Sequence, residues 1–454
     1  MDTLHLNGID ARTGAPLVPP LDLDELAARL RADLPAAPTL PPTPVVRGLP
    51  YGIEPTDLAA AGWAVVVPAG RADRADALAP LIAHRAEALG APIKVLDVRP
   101  DEPVRAWLAR HGVGPVDVDP ERVPYYLLLL ADPSEVSFAF QSTLAIRYCV
   151  GRLALAPPDL GAYARSVVAA ERRPPARRRH VSYWAPRHDP ATTLSAEQLV
   201  APLHAGTPGR GATGTPPHLH ARATSSLHLA DEATRARLLD LLHGRHADRP
   251  ALLFTASHGL GLAPDDPRQA ADQGALLTHE WSGLRPPERA RHLVAADHIA
   301  DDADVHGLFA FLFACFGAGT PAADEFQPLT AAPRTLAPRP FVSALPQRLL
   351  THPGGGALAV VGHVERAWGF SFHSPGVGPQ IVPFYNFVAA LLRGEPVAHA
   401  LRGFPERNAV HSADLVDDRR ADLPPRTLVQ RFTERNDARN YVVLGDPAAR
   451  LPRA

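Results

Sequence analysis

A chain of 454 residues is long enough to bury at least one large core, and its length favours two or more folding units. With 46% hydrophobic and 21% charged residues it has the balance of an ordinary globular protein, and a formal net charge of -2 argues against binding nucleic acid or a membrane surface through bulk charge. Two cysteines, Cys149 and Cys315, exclude a disulfide scaffold and fit a reducing, cytoplasmic setting.

No window approaches the roughly 18 apolar residues of a spanning helix, and MDTLHLNGIDARTG has no apolar core of the secretory kind. Residues 1–50 read as an extended arm. LDLDELAARLRADL (21–34) forms one helix in it, with acids first and Arg late, as helix ends prefer. PAAPTLPPTP follows as a polyproline-like connector. Fifty prolines fit long ordered connections better than disorder, given the apolar content.

From 51 to about 175 the pattern alternates. GWAVVVPA (62–69), IKVLDV (93–98), YYLLLLAD (125–132) and IRYCVGRLAL (146–155) read as strands. Between them, 72–90 reads as a helix stopped by Gly90, and 101–112 as a helix capped by Asp101. Such alternation implies a parallel sheet covered by helices. Cys149, inside an apolar strand, reads as a small buried hydrophobe. GAYARSVVAAERR (161–173) is a helix. The basic run ERRPPARRRH (171–180) is short and broken by prolines, a solvated linker rather than a nucleic-acid patch.

A second α/β unit occupies 176–454. HVSYWAP (180–186) is a strand, SAEQLVAPLHAG (195–206) a helix, GTPGRGATGTPP (206–217) a loop, and 231–244 a helix with one leucine face. ALLFTASHGLG (251–261), GALLTHEW (274–281) and LFAFLFACFGAG (308–319) come next. PFVSALPQRLL (340–350) reads as a helix broken near Pro346. GALAVVGHV (356–364) is a strand and FYNFVAALLRG (384–394) a helix. YVVLGD (441–446) is the closing strand.

Two of these strands end in reactive side chains followed by glycine-rich chain. Chemistry in open α/β sheets gathers beyond the carboxyl ends of the strands, so parallel neighbours would set His258 beside Cys315 there. A thiol beside an imidazole is the minimum for a cysteine nucleophile. Gly259 lets backbone approach a substrate carbonyl. The N–H groups of Gly259 and Cys315 are candidate oxyanion donors, worth about 2.7–4 kcal/mol each. Asp189 is a candidate to orient His258, and a loop-capping Asp accounts for it equally well. His218 and His220 lack a third ligand at fixed spacing, and GTPGRGATG lacks a G-K-[ST] ending, so neither a metal nor a phosphate site is assigned and no cofactor is implied.

With these residues placed, the chain resembles the caspase-like superfamily of cysteine peptidases and, within it, the gingipain-type branch. ALLFTASHG is similar to that branch's strand ending in the catalytic His-Gly, and LFAFLFACFGAG to its strand ending in Ala-Cys. The His precedes the Cys by close to the roughly 50 residues of caspase-type enzymes. GALAVVGHVERAW is similar to the next core strand, YYLLLLADPSEVSF and IRYCVGRLAL to strands of the first subdomain, and YVVLGDPAARL to the closing segment. The resemblance implies two caspase-like α/β subdomains with mainly parallel central sheets flanked by helices in three layers. It implies a cysteine endopeptidase acting on protein or peptide substrates, with Asp189 nearest the acidic partner of the His. Glu365 and Trp368 would bind substrate, Trp368 as a pocket wall. One departure is the segment TTLSAEQL, where the branch places a carboxylate for basic side chains and this chain offers only Glu197. A caspase-fold scaffold with a gated or vestigial dyad, and a hydrolase of non-peptide acyl groups, remain as alternatives.

Overall fold

Segments apolar on both faces are stable only where both faces are covered, and most strands here are of that kind. They are β1 (Trp63–Pro68), β2 (Lys94–Val98), β3 (Tyr126–Leu129), β4 (Cys149–Arg152), β5 (His180–Ala185), β6 (Thr224–Leu229), β7 (Leu252–Ala256), β8 (Phe309–Phe313), β9 (Ala359–His363) and β10 (Tyr441–Gly445). The computed structural model describes residues 3–4, 9–16, 21–32, 48–114, 117–172, 179–206, 223–245, 249–283, 285–326, 334–418 and 423–452. The connector 35–44, His218, His220, and most of the basic run and of the 206–217 loop lie outside them.

All ten strands form one sheet in the order β2-β1-β3-β4-β10-β9-β8-β7-β5-β6. The two sheets expected from the sequence are therefore joined edge to edge. Every pairing is parallel except that of β9 with β10. Two five-stranded parallel blocks thus meet head to tail at one antiparallel seam. The closing strand β10 runs with the first block, pairing Val443 with Gly151, and against the second, pairing Val361 with Val443.

Helices flank the sheet. They include α1 (Leu23–Ala32), α2 (Ala79–Leu89), α3 (Val104–Arg110), α4 (Pro157–Arg172), α5 (Pro190–Ser195), α6 (Ala344–Leu350), α7 (Val382–Leu392), α8 (Gly403–Asp418) and α9 (Pro425–Arg439). Aromatic rings fill the core under the second block. Phe254 of β7 and Phe311 of β8 are cross-strand partners with rings stacked 4.7 Å apart, and Phe384, Phe387, Phe404 and Tyr441 pack around Phe311. Cys149 is buried in β4, and burial pushes its thiol up to about 12, which suits a packing residue.

A buried ionic knot ties β10 into the first block. Arg85 of α2 donates to Asp446 at 2.9 and 2.6 Å and to Glu171 of α4 at 2.7 and 2.8 Å. The Trp63 indole N–H reaches the other Asp446 oxygen at 2.9 Å. The Asp446 N–H donates to the Tyr163 hydroxyl at 2.6 Å, and that hydroxyl donates to the Leu358 carbonyl at 2.7 Å.

Several local expectations change for identifiable reasons. The 72–90 segment is two helices, because Pro80 is accommodated in the first turn of α2, where its missing N–H costs nothing. Pro346 likewise sits in the first turn of α6 and leaves it unbroken. Asp101 does not cap α3; Pro103 precedes the helix, and Asp101 turns at φ 54. GALLTHEW contributes only Leu276–Leu277, paired antiparallel with Leu293–Val294 outside the main sheet.

Burial works to raise the Glu171 carboxyl, but Arg85 and the bond to His84 hold it at about 2 against an ordinary 4.5. A carboxyl depressed on folding stabilises fully above its unfolded value and loses that contribution as pH falls toward its folded value. Glu171→Gln should cost roughly 3–5 kcal/mol at pH 7 by leaving Arg85 short of a partner. It should also flatten the decline in stability between pH 4.5 and 2, read by urea melts across that window; an unchanged decline would remove Glu171 from this role.

Candidate active site

Register brings the two reactive side chains level. Ala256 of β7 is paired with Phe313 of β8, and His258 and Cys315 each lie two residues further along. The backbones stay pressed together past the strands. A Cβ on Gly259 would lie 1.8 Å from the Cys315 carbonyl oxygen and 3.1 Å from its nitrogen, so no other residue fits without moving one backbone. Leu277 N–H donates to the His258 carbonyl and Leu260 N–H to the Ala275 carbonyl. These bonds flank Gly259 and leave its own N–H outside that ladder.

The peptide after the cysteine is held in an uncommon conformation. Phe316 has φ 58, at a cost of roughly 1–3 kcal/mol for a residue with a side chain. Its N–H donates to the Glu365 carbonyl at 2.5 Å, and its carbonyl accepts from Ser343 Oγ at 2.6 Å. Gly274 backs onto the same carbonyl, where a Cβ would stand 2.1 Å away.

Asp189 fills both roles open to it from sequence. Its Oδ1 accepts from the Thr192 N–H at 2.9 Å and caps α5, while its Oδ2 accepts from His258 Nε2–H at 2.7 Å. Burial works to raise its carboxyl, but the bonds from His258 and Thr192 hold it well below the usual carboxylate range. With Nε2 engaged, His258 Nδ1 is the ring nitrogen left to take a proton. His188, which sequence reading passed over although it adjoins Asp189, stacks on His258 with ring centroids 6.2 Å apart. Its Nδ1–H donates to the Trp281 carbonyl at 2.8 Å, and burial, with His258 adding to it, lowers it to about 4, so the neighbour of His258 is neutral.

Cys315 is only 3% exposed. Burial pushes its thiol up to about 11, partly offset by the contact with Ala367, whose carbonyl accepts from Sγ at 3.8 Å. His258 and Cys315 both line a cavity of about 330 Å³ with Thr192, Leu194, Ser195, Phe313, Trp368, Phe370, Phe372 and His373 among its walls. Trp368 is thus at the cavity. Its backbone N–H donates to Asp437 of α9 at 2.9 Å, and its indole nitrogen has no partner among the described residues.

Glu365 is not at the cavity. It is fully buried; its Oε1 accepts from Arg366 at 2.9 Å and its Oε2 from the Glu325 N–H at 2.9 Å. Arg366 also binds buried Asp324; burial, with the charge of Asp324 adding to it, pushes the Glu365 carboxyl up against the pull of Arg366. The Glu365 backbone carbonyl holds the turn at Phe316, while its side chain does not line the cavity. Glu197 lies on a π-helical turn (Ala196–Val200) beyond α5 and pairs with Arg187 at 3.5 Å.

The amino-terminal segment is docked at the site. Ile9–Asp10 pairs parallel with Leu260–Gly261, directly after Gly259. Leu23, Leu26 and Ala27 of α1 pack in one apolar cluster with Trp368, Phe326, Leu428, Val429 and Phe432.

Among solved structures, the chain is similar to a protease at a TM-score of 0.49 and 15% identity, over 86% of this chain and 79% of that one. It is also similar to the Saccharomyces cerevisiae separase–securin complex at a TM-score of 0.33 and 12% identity, over 71% of this chain and 15% of that one. No family model matches the chain, and no curated protein does. Likeness at these values carries no weight for function, which is read from the side chains.

The close backbone approach can be measured. Gly259→Ala should destabilise by roughly 1–3 kcal/mol or more in denaturant melts, as overpacking does. Gly48→Ala, with open space around it, should stay within about 0.5 kcal/mol. Equal midpoints for the two variants would contradict the contact.

Proposed function

We propose that the protein is a caspase-like cysteine peptidase of gingipain type, with Cys315 as nucleophile, His258 as general base and acid, and Asp189 as the residue that orients His258. The observation that carries this reading is the 2.7 Å bond between His258 Nε2 and Asp189 Oδ2, made where the ends of β7 and β8 bring His258 and Cys315 onto one cavity.

The chemistry follows from the assignments. As Sγ attacks the scissile carbonyl, its proton passes to His258 Nδ1, and Asp189 stabilises the imidazolium that forms. The Gly259 and Cys315 N–H groups donate to the oxyanion. Collapse expels the amine, which takes the proton from His258 and leaves a thioester on Cys315. Water, deprotonated by His258, hydrolyses the thioester and restores the thiol. Among the described residues no helix is long and apolar enough to cross a membrane.

One observation favours a gated form of the same enzyme. The resting thiol is buried and faces the Ala367 carbonyl. A group at about 11 is almost wholly protonated at neutral pH. Alkylation of Cys315 by iodoacetamide in substrate-free protein should therefore keep rising from pH 7 toward 11. A plateau near neutrality would show an activated resting thiolate and remove the gate.

Cys315→Ala and His258→Ala should each abolish cleavage of a mixed peptide library. Asp189→Ser separates the two roles of that residue, since serine also caps helices. It should leave the melting temperature within a few degrees and lower kcat/KM by roughly 10²–10⁴-fold, the range for losing the partner of a catalytic His. Cleavage surviving in the Cys315 and His258 variants would refute the assignment.

A further inference from the structure

We infer that the cavity beside Cys315 receives a large apolar side chain, such as Phe or Leu, from the residue that supplies the scissile carbonyl. This rests on the peptidase reading above and specifies its substrate class. At about 330 Å³ the cavity is near the lower end of the roughly 300–1,000 Å³ usual for ligand sites, the size for one side chain rather than a larger group. Leu194, Phe313, Trp368, Phe370 and Phe372 supply its apolar lining, beside the smaller polar side chains of Thr192, Ser195 and Ser257.

Among the described residues that line the cavity, none is a carboxylate. Asp189 is spent on His258 and Thr192. Asp324 and Glu365 are sealed against Arg366, Asp437 accepts from Trp368 N–H, and Glu197 pairs with Arg187 away from the lining. On the basic side, Arg366 is fully buried and bound to its two acids. A basic side chain entering this cavity would shed its water without meeting a carboxylate in the lining, and an acidic one would meet no Arg or Lys there, which disfavours both against an apolar one. An apolar one loses nothing and covers the aromatic walls.

The test uses the full chain and a set of peptidyl acyloxymethyl ketones differing only in the residue next to the reactive carbonyl: Phe, Leu, Arg, Lys, Asp or Asn. Labelling of Cys315 is followed by mass spectrometry, with Cys315→Ala as the blank, alongside cleavage of matched peptides. Phe and Leu probes should label at least about 100-fold faster than Arg or Asp. Leu194→Asp, which sets a carboxylate in the wall, should slow the Phe probe and speed the Arg probe so that the preference narrows or reverses.

Fastest labelling by Arg or Lys in the wild type would overturn the inference while leaving the peptidase in place. So would fastest labelling by Asp, which would point to a contact with His373 in the lining, or by Asn, which would point to the unpaired Trp368 indole N–H. An unchanged preference in folded Leu194→Asp would remove Leu194 from the pocket and overturn the inference as stated. Folded protein that labels with no probe and cleaves no peptide overturns both this inference and the peptidase reading.

Discussion

The site depends on a contact between two backbones, Gly259 against Cys315. No side chain mediates it, so nothing can relax by changing rotamer, and the separation of the two chain segments is set by the sheet itself. β7 and β8 arrive in parallel register, and the Phe254–Phe311 stack fixes their side chains before the segments leave the sheet. A His–Cys pair placed this way takes its precision from the sheet, where core packing leaves little room for adjustment.

Beneath the cysteine turn lies a buried group of ions that is costly unless complete. Asp324, Arg366 and Glu365 are each 3% exposed or less. Such a cluster seldom adds stability compared with apolar packing, and removal of one member leaves the others unpaired. Its value here is positional. Glu365 turns at φ 73 and offers its carbonyl to Phe316 N–H, while its side chain holds the Glu325 N–H and Arg366. Asp437 does similar work on the other wall, gripping Trp368 N–H and the Ser371 hydroxyl. The turn after Cys315 and the backbone of Trp368 are thus hung from separate polar anchors, one on a strand end and one on α9.

The buried strands were legible because they are apolar on both faces, and the His and Cys because each ends such a strand. β6 was missed: TSSLHL lies at the edge of the sheet, where one side needs no partner strand and polar residues are tolerated. The joining of the blocks into one sheet was hidden because no local pattern states which distant strand β10 will meet. Asp189 read equally as a cap or as a partner of His258 because its two oxygens do both. That Glu365 lies off the cavity was not legible, because its neighbours in the chain are Val364 and Arg366, whereas Asp324, which shares Arg366 with it, and the Glu325 N–H come from another segment. His188 gave only a weak signal, its place beside Asp189.

The seam between the blocks has a consequence for how the chain is made. β4 waits for β10, which is synthesised only after the whole second block, so the hydrogen-bonding edge of β4 stays open while most of the polypeptide emerges. A strand with a free edge is a template for mispairing with another nascent chain. The ionic knot at Asp446 sits directly after β10, so closure of that edge and burial of Arg85 occur together. Cells producing this protein therefore face a long interval in which an unpaired β4 must be shielded, and holding chaperones would matter most before the last strand arrives.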